Sequence, residues 1–148
     1  MAEATTAGFT VRQSIEIEAP RERVWDLITD PEKAQSWMPM VAFGDRVGER
    51  YDFKAGQYHA SGQITEYDPP RLVAFTWDWL NSPIGAETEV RFELEEKDGR
   101  TLVHLTHVGL PTDESRSGHD HGWDHYMERL AVVGAGGDPG PDTMAQDM

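Results

Sequence analysis

The sequence contains no cysteine. A disulfide scaffold, a zinc–thiolate centre and a cysteine nucleophile are therefore excluded. Basic residues are scarce: 13 lysines and arginines face 27 aspartates and glutamates, a formal net charge of −14 over 148 residues. A surface of that sign repels polyanions, so nucleic acid is not an expected partner, and anionic membrane surfaces are disfavoured on the same ground. No apolar run approaches the ~18 residues that span a bilayer, so no membrane insertion is expected. Residues 1–8 lack the basic region and apolar stretch of a secretory signal, and a cytoplasmic location is expected. A Gly-rich phosphate loop is missing, as is any nucleophile–base motif around Ser61, Ser82, Ser115 or Ser117. No cofactor is expected.

What is present suits one globular domain. Hydrophobic residues make up 38% of the chain and charged residues 27%, too apolar a mixture for disorder. The periodic pattern occupies residues 9–134. Residues 1–8 are expected to be a flexible N-terminus, and the Gly-, Pro- and Asp-rich segment 135–148 a disordered tail.

Within 9–134 the pattern is mostly strand. Residues 9–18 alternate, with Phe9, Val11, Ile15 and Ile17 on one side. Ala19-Pro20 stops that strand, and proline suits the first position of a short helix, 20–29, with Val24, Leu27 and Ile28 on its inner face. Asp30-Pro31 repeats the device: Asp30 caps and Pro31 opens a second short helix ending near Trp37. Strands are expected at 47–54, 58–67, 71–79, 87–95 and 100–108. Turns are expected at 54–57 and 97–99, and a loop at 81–85. Short turns without intervening helices imply an antiparallel meander. A helix over 114–133 follows, with Trp123, Tyr126, Met127 and Leu130 on one stripe. The class is α+β: a curved antiparallel sheet, one long C-terminal helix, and two short helices after the first strand.

Strand parity turns Val73, Phe75, Trp77 and Trp79 to one face, joined by Val90, Phe92 and Leu94, and by Val103, Leu105 and His107. The long helix must bury its stripe against that face. Phe75, Trp77, Trp79, Phe92, Trp123 and Tyr126 therefore converge. Ordinary core packing and a small-molecule pocket both account for this; the pocket gains because tryptophan and tyrosine carry polar handles.

The chain resembles the START-like superfamily and, within it, the bacterial family named after the activator of the heat-shock-protein-90 ATPase. Matching stretches are Ala19-Pro20-Arg21-Glu22-Arg23-Val24-Trp25, Asp30-Pro31 through Trp37, and Gly62 through Glu66 with Asp68-Pro69-Pro70-Arg71-Leu72. Thr106-His107-Val108-Gly109-Leu110-Pro111 and Gly122-Trp123 complete the set. The resemblance spans residues 10–133 and implies a helix-grip fold with an internal cavity. The superfamily includes lipid carriers, polyketide cyclases, hormone receptors and chaperone cofactors, so fold alone does not choose among them.

Three functions follow as expectations. The first is non-catalytic binding of a small apolar or amphipathic, lipid- or polyketide-like ligand. Trp37, Met38, Phe53, Phe75, Trp77, Trp79, Phe92, Trp123 and Met127 would form its walls, with His107 and Tyr126 orienting its polar end. The second is a cyclase or dehydratase using His107 and Glu66 as acid and base. It requires the face that Glu66 shares with Ile64 and Gly62 to be the inner one. The plainer readings make Glu66 an edge residue paired with Arg71 or facing solvent, and His107 a satisfied half-buried histidine. The third is an interaction protein, either one that regulates a chaperone ATPase or a partner of a regulator. Under any of the three the chain is expected to be a monomer or homodimer. His119, His121 and His125 imitate a metal cluster, but helix geometry sets His119 near the Trp123 stripe and the other two opposite, so no metal is expected.

Overall fold

The computed structural model describes residues 8–55, 58–80, 84 and 87–142. The turn expected at 54–57 and the loop at 81–85 lie partly outside the described residues, and 1–7 and 143–148 wholly so. The elements in order are β1 (Phe9–Ile17), α1 (Arg21–Thr29), α2 (Pro31–Ala34), β2 (Met40–Phe43), β3 (Arg50–Ala55), β4 (Tyr58–Asp68), β5 (Leu72–Trp79), β6 (Thr88–Lys97), β7 (Arg100–Leu110) and α3 (Asp113–Gly134). The strands form one antiparallel sheet in the order β1-β7-β6-β5-β4-β3-β2. Strands β2 to β7 meander, and β1 joins beside β7. This is the α+β arrangement of the sequence pattern and the helix-grip fold that the resemblance implies. No helix among the described residues is long and apolar enough to cross a membrane.

Local chemistry explains most boundaries. Asp30 accepts the Glu32 amide at 3.0 Å and Pro31 opens α2. Pro20 stands one place earlier than expected, at the N-cap of α1 with extended backbone, and its carbonyl receives the first helical amides. Asp98 and Gly99 both have positive φ, 56° and 78°. Such a pair makes the tight turn whose twist suits the β6–β7 hairpin. Three departures from the expected pattern stand out, the first being that α2 ends at Ala34 rather than near Trp37. A four-residue strand, β2, follows α2 and pairs with β3; it is too short to show a period. And β3 begins at Arg50 rather than at residue 47, leaving Val47 59% exposed.

Thr112 caps α3 by accepting the Ser115 amide at 3.0 Å. The buried stripe Trp123, Tyr126, Met127 and Leu130 extends to Val133 and Gly134. At Gly134 the helix meets β1 so closely that a β-carbon would lie 2.3 Å from Cγ2 of Ile17. The alternating residues of β5, β6 and β7 are buried as expected: Val73, Phe75, Trp77, Val90, Phe92, Leu94, Val103, Leu105 and His107. Each large apolar side chain so buried contributes ~1.5–3 kcal/mol, which is what holds helix to sheet.

Candidate functional site

Trp77 is the hub of the aromatic interior. Its ring centre lies 5.3 Å from Trp123 on α3, 5.4 Å from Trp79, 5.3 Å from Phe53 and 5.6 Å from Tyr51, the last nearly parallel at 18°. Phe92 meets Trp123 edge-on at 5.9 Å and stacks against Phe75 at 6.2 Å. Tyr126 stands perpendicular to Phe53 at 5.9 Å. Strand alternation thus brings together the rings from β3, β5, β6 and α3. Met38 and Met127 belong to the same buried cluster. Trp37 does too, but its indole N–H donates to the Leu27 carbonyl at 2.6 Å and ties the short helices together.

Two histidines each accept an indole N–H. Trp123 donates to Nδ1 of His107, and Trp79 to Nε2 of His119, both at 3.1 Å. An indole only donates, so each accepting nitrogen carries no proton. His107 therefore holds its proton on Nε2, 3.0 Å from Oγ1 of Thr88, which in turn donates to the Trp77 carbonyl at 2.6 Å. His119 holds its proton on Nδ1 and donates to the Ser115 carbonyl at 2.8 Å. The two imidazoles stand edge to face at 5.0 Å. Burial pushes His107 down to about 3, with the neighbouring His119 adding to the effect. Burial also lowers His119, against the opposing bond to Ser115. His107 is a neutral imidazole with both nitrogens engaged. Its partners and the part played by His119 depend on how the sheet curls over α3, which spacing does not reveal.

Two polar atoms in this interior have no hydrogen-bond partner among the described residues: Oη of Tyr51 and Nε1 of Trp77. Both side chains are buried and their rings are the stacked pair. Burial, then the charges of Asp52 and Asp78, raises the Tyr51 phenol well above its ordinary range. Tyr51 is not among the residues that the sequence marks for the site; its place there follows from β3 pairing into the sheet beside β4.

Glu66 does not join His107. A register shift between Ile64 and Glu66 breaks the alternation of β4. Ile64 is buried, while Glu66 is half exposed and paired with Arg91. Both flank Ala74 of β5 in the register, on the face away from α3. The expected sharing of a face with Ile64 fails because the bulge turns the carboxylate outward. The remaining helix histidines also have separate settings. His121 is exposed, and His125 lies 2.8 Å from Asp142, whose other oxygen accepts the Tyr126 hydroxyl at 2.7 Å. Burial foremost, then Asp142, raises the Tyr126 phenol.

A family model described as activator of Hsp90 ATPase homolog 1-like protein matches residues 18–135. No curated protein matches the chain. Among solved structures, an AHSA1-like protein from Rhizobium etli is 35% identical, with a TM-score of 0.67, over 90% of this chain and 86% of that one. DynU16, a protein in the dynemicin biosynthetic locus, shares the fold at 21% identity and a TM-score of 0.76, over 88% of this chain. The match covers only 49% of DynU16, so this chain spans about half its length. The Aha1 dimer from Colwellia psychrerythraea shares the fold at 21% identity and a TM-score of 0.71, over 86% of this chain and 96% of that one.

Proposed function

This chain belongs to the family of activator of Hsp90 ATPase homolog 1-like proteins, and from that premise we propose that it binds a small apolar or amphipathic molecule between the sheet and α3 without transforming it. The carrying observation is the stacked pair Tyr51 and Trp77, whose donors are buried without a partner among the described residues. An unmet buried donor costs ~1–3 kcal/mol, and native interiors satisfy nearly all of theirs. A ligand carrying an acceptor, such as a carbonyl or ether oxygen, would offset that cost, and Phe53, Phe75, Phe92 and Trp123 would cover its apolar body. Burying ~200 Å² of such a ligand contributes ~5 kcal/mol before ordering costs. DynU16 comes from a biosynthetic locus, which agrees with a small-molecule role for the fold.

Catalysis through His107 and Glu66 has little support. Both nitrogens of His107 are committed to protein partners, and Glu66 faces away from it. Regulation of a chaperone ATPase rests on the family's name. Native mass spectrometry of gently purified protein tests the ligand reading. The expected result is a bound mass of a few hundred daltons, lost on denaturation. A bare chain, with no saturable change in tryptophan emission across fatty acids, flavonoids and polyketides, would overturn it.

A further inference from the structure

The segment after α3 turns back along that helix. Arg129 holds its main chain, with Nη1 3.0 Å from the Gly140 carbonyl and 3.3 Å from that of Pro141, while its Nε donates to the Trp37 carbonyl at 2.9 Å. The segment then delivers the Asp142 carboxylate to two neighbouring helix residues: His125 at one oxygen, 2.8 Å away, and the Tyr126 hydroxyl at the other, 2.7 Å away. The His125 and Asp142 side chains are only 22% and 16% exposed. A carboxylate is thus gripped at both oxygens, mostly out of water, in a chain whose formal charge is −14. The Tyr126 ring below it abuts Phe53, which touches Trp77 and Trp79. The grip therefore lies at the edge of the aromatic interior.

We propose that His125 and Tyr126 form a carboxylate-recognition site, held in this structure by the chain's own Asp142, which takes the acid group of an amphipathic ligand when residues 138–142 lift away. The inference rests on the ligand-binding reading and adds a ligand class, an apolar carboxylic acid. Polar contacts hold the segment: Asp138, Gly140 and Pro141 are exposed, and only Pro139 and Asp142 are half-buried. An incoming carboxylate takes over the two bonds that Asp142 makes to His125 and Tyr126. It competes against a tethered group whose effective concentration is in the millimolar range. A short acid such as acetate therefore loses, and an acid that also buries a tail against Phe53 and Trp77 wins.

The test compares dodecanoate with dodecanol, which differ in headgroup, on the full chain and on Asp142→Ala, by calorimetry and tryptophan emission. The expected result is tighter binding of dodecanoate than of dodecanol. Asp142→Ala should raise dodecanoate affinity about tenfold while moving dodecanol less than about twofold, and Tyr126→Phe should erase the acid preference. In the unaltered chain, dodecanoate and not acetate should carry the Gly140 amide resonance towards its disordered position. Equal binding of acid and alcohol in both proteins, or an unmoved Gly140 amide at saturating dodecanoate, overturns the carboxylate site and leaves the ligand reading standing. Binding of neither probe to either protein likewise overturns the carboxylate site, and the ligand reading itself falls only with the wider panel of flavonoids and polyketides.

Discussion

The indole N–H of Trp123 points at Nδ1 of His107, 3.1 Å away, and so fixes which imidazole nitrogen carries the proton. The other nitrogen then donates to Thr88, and Thr88 to the Trp77 carbonyl. One chain of donors and acceptors thus links α3, β7, β6 and β5 across the interior.

Removing the centre of that chain should be costly. His107→Ala leaves a cavity and strips partners from the Trp123 indole and the Thr88 hydroxyl. The expected loss is ~3–5 kcal/mol of unfolding free energy, measured by urea denaturation. A loss below ~1 kcal/mol would mean that His107 is not a packing and hydrogen-bonding centre.

Acid should weaken the fold through the same residue. His107 titrates near 3 in the folded chain against an ordinary value of 6.5. Between those values the unfolded chain holds a proton that the native chain does not, so stability rises with pH across that window. The contribution is complete above about pH 6.5 and is lost progressively as pH falls towards 3. Lowering the pH from 7 to 4.5 should remove ~2–3 kcal/mol through His107, and His119 adds in the same direction. Denaturation curves across that range should flatten in His107→Gln. An identical pH slope in both proteins would contradict the assignment.

Glu66→Gln separates the binding and catalytic readings. The Glu66–Arg91 pair is half exposed on the face away from α3, where such pairs contribute ~0–1 kcal/mol. Stability should move by less than ~1 kcal/mol and ligand affinity by less than about twofold. Loss of a measurable turnover in this variant would restore the enzyme reading.

The elements and their inner faces were legible because alternation, helix periodicity and the Pro, Asp-Pro and Asp-Gly signals report directly on backbone geometry. Phe75, Trp77, Phe92 and Trp123 come together as strand parity requires. What stayed hidden depends on a local break or on curvature. The bulge after Ile64 reverses the side on which Glu66 emerges, and nothing in Ile64-Thr65-Glu66 announces it. Strand β2, Met40–Phe43, has no room for a period. Helix periodicity sets His119 near the Trp123 stripe, but its bond to Trp79 comes from another element 40 residues away in sequence.

The stacked pair, whose donors lack a partner among the described residues, is best tested by the five tryptophan indole N–H resonances, followed during titration with fatty acids, flavonoids and polyketides. Trp37 and Trp123 already donate to Leu27 and His107, so their signals should hold nearly still. The Trp77 signal should shift saturably as its N–H gains an acceptor. A Trp77 signal that stays fixed through every titration, or moves no more than that of Trp37, would contradict the account.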